Sequence, residues 1–215
     1  MLPDRDAVAA ALGPGSWNSA PEVLDRAHYR AVAAVDRARP DSDRAIFPTY
    51  IAAYLEALEV SPDRRELVDA FAAIFDVSAS SWTTVIAGSA AALRTIARDH
   101  RVVVVSNSQG WMERHLQDAG VCQVGPGAGA AVSAVVDSAY VGAEKPDARI
   151  FRAALEVVGV AADRAVHVGD SVWFDVQGAL EAGVNAFHFD PYGLCTDTDH
   201  EHVAGLADLG LGSTG

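Results

Sequence analysis

Four polar side-chain types stand out in this chain because each falls where an apolar run stops. The run Arg164-Ala-Val-His-Val168 ends at Gly169-Asp170, and a helical pattern starts at once, with Trp173, Val176, Ala179 and Leu180 at spacings of three and four. A strand, a tight turn and a helix in that order put Asp170 at the carboxyl end of a strand, where open α/β sheets bind ligands, with Asp175 on the helix that follows. Paired carboxylates at such a place suit Mg²⁺, which takes few protein oxygens, keeps several waters and shares its remaining coordination with substrate phosphate. A second apolar run, Arg101 to Val105, ends in Ser106-Asn107, and Lys145-Pro146-Asp147 precedes a helical pattern over Ala148 to Val158. A hydroxyl donor to phosphate oxygens, an ammonium that offsets the charge of an anionic nucleophile, and a carboxylate pair for a metal form a coherent set. Taken singly, the same residues have plainer uses as turn former, solvated surface charge and helix cap.

The elements that must position this set alternate. Strand candidates at Arg101–Val105, Ala134–Ser138, Val166 onward and Ala186–Phe189 are separated by helical patterns, which predicts right-handed crossovers and a parallel sheet covered on both faces. Gly125-Pro-Gly-Ala-Gly-Ala130 lacks the lysine of a P-loop and reads as a flexible connection. Residues 1–85 carry no strand signal. Asp4 or Asp6 caps a first helix running through Leu12, closed by Gly13-Pro14-Gly15, and Pro21-Glu22 opens a second with Val23, Leu24, Ala27, Ala31, Ala34 and Val35 on one face. Ile51, Tyr54, Leu55 and Leu58 mark a third helix, and Leu67, Ala70, Phe71, Ile74 and Phe75 a fourth. Such stripes describe a helix-bundle core, and His28 and Tyr29 carry no mark that separates a ligand contact from that core. Leu206 to Gly215 reads as a fraying tail.

Composition narrows the partners. With 29 acidic against 16 basic residues and a formal charge of -13, the chain is a poor match for nucleic acid or anionic lipid, and a small molecule is the expected partner. Cys122 and Cys195 stand far apart in no metal-binding or disulfide pattern. No apolar run approaches the roughly 18 residues of a membrane span, and the N-terminus has no signal-peptide pattern, so the expected location is the cytoplasm.

In order along the chain, Val-Val-Ser106-Asn107, then Gly142-Ala-Glu-Lys145-Pro-Asp-Ala-Arg-Ile-Phe151, then His-Val-Gly169-Asp170-Ser-Val-Trp-Phe-Asp175 through Gly183 resemble motifs two, three and four of the haloacid dehalogenase superfamily of hydrolases. The resemblance covers roughly residues 86–192. It implies an α/β fold with a Rossmann-like parallel-sheet core over residues 86–215 and an all-helical cap over residues 1–85. It also implies a Mg²⁺-dependent phosphatase of a small phosphorylated metabolite, working through an aspartyl-phosphate. Under it, Ser106 and Asn107 bind the phosphoryl group, Lys145 pairs with nucleophile and phosphate, and Asp170 ligates the metal, with Asp175 a ligand or its support. The dehalogenase chemistry of the same superfamily fits less well, because it needs no metal.

The superfamily's nucleophile is an aspartate ending a first strand, and no apolar strand precedes the helical residues here. Asp4-Arg5-Asp6 has the letters of that motif, but Met1-Leu2-Pro3 is too short for a central strand and the pattern that follows is helical. Losing a central strand would remove several buried aliphatic side chains worth about 1.5–3 kcal/mol each, against a total stability of roughly 5–15 kcal/mol. The expectation is that the sequence begins about ten to fifteen residues late, a strand and its turn, with strand and nucleophile in the missing piece. The chain as written would then bind Mg²⁺ and phosphate without turnover; a non-catalytic phosphate- or metal-binding module of the same fold is the alternative.

Overall fold

The computed structural model describes residues 1–13, 17–40, 43–61, 65–74 and 81–211. The chain divides into two compact units, one of Met1–Thr84 with Tyr192–Thr196, the other of Val85–Pro191 with Asp197–Gly215.

The first unit is built from α1 (Arg5–Leu12), α2 (Pro21–Ala38), α3 (Asp43–Ala57) and α4 (Arg65–Ile74). Helix α1 starts where it does because the Asp4 carboxylate accepts from Ala7 N at 2.8 Å, satisfying one of the unpaired amides of the first turn. The other Asp4 oxygen accepts from Thr83 Oγ1 at 2.6 Å, and these bonds, Thr83 first, hold the carboxyl below its ordinary value. Asp4-Arg5-Asp6 is therefore a helix start, and Arg5 is committed to Asp25 through a two-point ion pair at 2.9 and 2.6 Å. Pro21 occupies the first turn of α2, where its missing N–H costs nothing. Leu24, Ala31, Val35, Ile51, Tyr54, Leu55 and Phe71 are all buried, so the stripes read from the sequence are core. His28 belongs to that core too, with Nδ1 2.8 Å from the Tyr50 hydroxyl. An antiparallel bridge joins Leu2 to Thr84. Pro14, Gly15 and Phe75 lie outside the described residues.

In the second unit, helices alternate with short parallel strands. After α5 (Ser89–Asp99) come β1 (Val103–Ser106), α6 (Met112–Asp118), β2 (Cys122–Val124), β3 (Ala130–Val132), β4 (Ala134–Asp137), α7 (Ser138–Val141) and α8 (Ala148–Val158). Then follow β5 (Val166–Gly169), a wide helical turn over Val172–Gln177, α9 (Gly178–Glu181), β6 (Asn185–Phe189) and β7 (Glu201–Val203). Every ladder is parallel: β1 with β4, β2 with β3, and β5-β6-β7 in that order. The fold is α/β and Rossmann-like, as the alternation of elements requires. Val136, Ile150, Phe151, Val176, Ala179 and Val184 form one buried cluster that ties α8 and α9 to β4.

Two details depart from the sequence reading. The glycine-rich stretch is pinned between β2 and β3, since Gln123 accepts from Gly129 N at 2.8 Å and donates to Gly125 O at 3.0 Å. One amide side chain holds the connecting loop beside that ladder. The region after Asp190 also contributes a strand, β7, and a short 3₁₀ turn at Leu206–Asp208; residues 212–215 lie outside the described residues. Among the described residues, no helix is long and apolar enough to cross a membrane.

Candidate active site

The β-branched run Val103–Val105 makes β1 a strand, and Ser106 ends it, buried and in register with Asp137 of β4. Asn107 then leaves the sheet and clamps the loop that carries the lysine: Nδ2 donates to Lys145 O at 2.9 Å, and Oδ1 accepts from Lys145 N at 2.7 Å. Lys145 is thus positioned through its backbone by a residue 38 positions earlier. The Lys145-Pro146 peptide is cis, and Asp147 caps α8 immediately beyond, accepting from Arg149 N at 2.9 Å.

On the other strand, β5 ends at Gly169, and Asp170 follows. Ser171 Oγ accepts from Phe174 N at 2.9 Å, and the Ser171 carbonyl accepts from both Asp175 N and Val176 N. That double acceptance widens the turn and swings Asp175 back toward β5. Gly169 makes room for it, since a Cβ there would overlap the Asp175 carboxylate. Gly178 performs the same service one turn later, where a Cβ would come within 2.8 Å of Pro146 O and of the Phe151 ring. The two glycines let the Lys-Pro loop and the acidic turn close on one another.

They meet as an ion pair. Lys145 Nζ lies 2.7 Å from Asp175 Oδ1, His167 Nε2 donates to the same oxygen at 2.9 Å, and Ser171 N donates to Oδ2 at 3.2 Å. Asp175 is 3% exposed. Burial pushes its carboxyl up, but the Lys145 charge and the His167 contact outweigh that and hold it well below the ordinary carboxylate range. Lys145, His167, Asp170 and Asp175 all line a cleft of about 1060 Å³ whose walls include Val103–Val105 of β1 and Val166–Val168 of β5. Among the described residues β1 pairs only with β4, and β5 pairs with β6 but has no partner on its other side, so both strands bring an open edge to this one cleft.

The family model of haloacid dehalogenase-like hydrolases matches residues 20–183. This chain belongs to that family. Among curated relatives, phosphoserine phosphatase of Thermus thermophilus is 48% identical over 67 residues, which is 31% of this chain and 27% of that protein. Glyceraldehyde 3-phosphate phosphatase of Methanothermobacter thermautotrophicus is 39% identical over 72 residues, 34% of this chain and 32% of its own. Each match therefore spans no more than about a third of the relative. Among solved structures, the haloacid dehalogenase hydrolase YfnB of Bacillus subtilis, bound to magnesium, superposes with a TM-score of 0.61 at 15% identity, covering 95% of this chain and 90% of that one. A dehalogenase with an intermediate complex gives 0.58 at 18% identity, covering 97% and 90%. These likenesses agree on the fold.

Of the five residues singled out in the sequence, Asn107, Lys145 and Asp175 form one connected chain of hydrogen bonds, and Asp170 lines the same cleft. Ser106 lies at the end of β1, next to Asn107. Sequence reasoning missed His167 and Asp137. His167 stands two residues before Gly169 on a strand, so the alternation of faces was the available signal. Asp137 is buried at the end of β4 and accepts from Ser108 Oγ, from Gly110 N at 3.0 Å and from Ala139 N at 3.0 Å, which ties the loop after β1 to β4. A carboxylate ending an apolar run was its only mark.

Proposed function

We infer that this site binds the phosphoryl group of a small phosphomonoester beside Mg²⁺, and that it performs hydrolysis once an aspartate nucleophile is delivered at the head of the cleft. The carrying observation is the connected array at the ends of β1 and β5, in which Asn107 sets Lys145 and Lys145 neutralises Asp175. The donor set suits the metal. Asp170 supplies a hard carboxylate at the cleft, and Asp175, already engaged by Lys145 and His167, supports it electrostatically. When bound, Mg²⁺ would offset charge on the transferred phosphoryl group. Ser106 and Asn107 would orient that group, and the Lys145 ammonium would serve both the phosphate and the nucleophile.

Two open strand edges on one apolar-walled cleft support the idea that a strand bearing the nucleophile seats between β1 and β5. Among the described residues, Asp137 is spent on three donors and Asp4 caps α1, so neither is offered for attack. The helical residues before position 85 would serve as the family's cap domain. The test is calorimetry with Mg²⁺ together with hydrolysis of p-nitrophenyl phosphate. Asp170→Asn is expected to weaken Mg²⁺ binding at least tenfold, and the 215-residue chain to show no turnover until a segment carrying an apolar strand that ends in aspartate is added. Equal Mg²⁺ affinity in the wild type and the variant refutes the metal assignment. Turnover abolished by Asp4→Asn or Asp6→Asn refutes the strand. Phosphate binding without turnover, even with the added strand, favours a binding module.

A further inference from the structure

Outside this site, the second unit gathers three histidines on one face of one sheet. Strands β6 and β7 pair in parallel with His188 directly opposite His202, and His200 lies in the bend just before β7, where its ring meets both of theirs. The rings of His200 and His202 stack at 4.5 Å, and the His188 ring centroid lies 5.3 and 5.2 Å from them. One nitrogen from each ring falls within 4.8 Å of the other two.

Hydrogen bonding determines which nitrogen that is. His188 Nε2 faces the Asp170 carbonyl at 3.2 Å, His202 Nε2 faces the Asp197 carbonyl at 3.1 Å, and His200 Nδ1 faces the Asp199 carboxylate at 2.7 Å. Carbonyl and carboxylate oxygens only accept, so each of these nitrogens carries the proton. In the neutral imidazoles the lone pairs are then on His188 Nδ1, His200 Nε2 and His202 Nδ1. His188 Nδ1 and His200 Nε2 are 3.3 Å apart. Two ring nitrogens at that distance are held together either by one shared proton or by a metal ion between them. The separation equals the edge of a tetrahedron with metal–nitrogen bonds of about 2.0–2.1 Å. A ring N–H given to a backbone carbonyl or a carboxylate is also how metal-binding histidines are oriented in general.

We propose that His188, His200 and His202 form a binding site for a divalent late-transition ion of the Zn²⁺ type, distinct from the Mg²⁺ position at Asp170. Imidazole nitrogen selects this class over Mg²⁺, whose partners are oxygens. The Asp190 carboxylate, 3.8 Å from His202 Nδ1, adds compensating charge at the rim. An ion here fastens β7 to β6. Through the bond from His188 to the Asp170 carbonyl, it also stiffens the backbone of the residue that the phosphatase reading depends on. The metal site itself does not depend on that reading.

The test uses the whole chain in millimolar Mg²⁺ with one equivalent of Zn²⁺. In long-range ¹⁵N–¹H spectra, His188 Nδ1, His200 Nε2 and His202 Nδ1 are expected to move to metal-bound shifts, while the opposite nitrogens stay protonated. By competition with a chromogenic chelator, Zn²⁺ affinity is expected to fall at least 100-fold in His200→Ala and in His202→Gln, and to change less than threefold in Asp170→Asn. Ring nitrogens that stay put at one equivalent of Zn²⁺ overturn the proposal, as they would if the cluster merely shares a proton. So does an affinity held within threefold in both histidine variants. Because the spectra are read on the wild type, a variant that fails to fold leaves that measurement decisive.

Discussion

Lys145→Met removes the ammonium from the centre of the candidate site while keeping an unbranched chain of similar length. The side chains of Lys145 and Asp175 are 15% and 5% exposed, so the pair lies inside the protein. Deleting one member of a buried pair leaves an uncompensated charge, at a cost of about 3–5 kcal/mol. With a urea dependence of about 2 kcal/mol per molar, the unfolding midpoint at pH 7 should drop by about 1.5–2.5 M. The pH dependence is more specific. In the wild type Asp175 is held below the ordinary carboxylate value, so it contributes stability above the unfolded value of about 3.9 and loses it as pH falls toward the lower folded value. In the variant, burial is no longer outweighed, and Asp175 protonates in both states at low pH. Between neutral pH and about pH 3 the wild type should therefore lose about 1.3 kcal/mol, while the variant, its buried carboxyl now raised, gains stability, and the gap between the two should narrow by at least about 1.3 kcal/mol. Urea melts at both pH values measure the gap, with hydrogen exchange on peptides from 164–177 reporting the second unit by itself. A gap under about 1 kcal/mol at pH 7, or one that is the same at pH 3, refutes the buried-pair reasoning.

Gly169→Ala should force its new Cβ into the Asp175 carboxylate and cost about 1–3 kcal/mol, a fall of roughly 3–10 °C in Tm by calorimetry. Asp137→Asn should cost about 1–3 kcal/mol and raise amide exchange at Gly110 and Ala139, whose N–H groups it holds; unchanged exchange at both would mean the loop after β1 is fixed otherwise. In the first unit, His28→Leu should destabilise by about 1–3 kcal/mol, and a double-mutant cycle with Tyr50→Phe should return a coupling of about 0.5 kcal/mol or more. Additive effects in that cycle would show that the contact contributes nothing of its own.

The elements that carry the site were legible because their signals are local. Val102–Val105 is a run of β-branched residues stopped by Ser106, and Gly169-Asp170 breaks strand from helix within two residues. Strands β2, β3 and β7 were not, since three residues cannot establish a period and Glu201-His202-Val203 carries mostly polar side chains. The clamp from Asn107 to the Lys145 backbone and the donation from His167 to Asp175 join residues 38 and 8 positions apart. Nothing in single-chain patterning records a long-range partner. The open edges of β1 and β5 among the described residues became visible only as geometry.

The Asn107 clamp carries a further consequence. Its two hydrogen bonds to the Lys145 main chain make the same contacts that a neighbouring strand residue would, so the ammonium takes its place from the end of β1 rather than from the segment that leads up to it. The residues between them, which make α6, β2, β3, β4 and α7, are mechanically an excursion that leaves and returns to a fixed post. Lengthening such a closed excursion is cheap, about 0.6 kcal/mol per doubling of a flexible loop, and the post does not move with it. Those of its connections that lie outside the β1–β4 ladder, the Asp137 contacts and the Gln123 pin are therefore free to acquire new length, and with it new surface, while the distance from lysine to carboxylate stays constant.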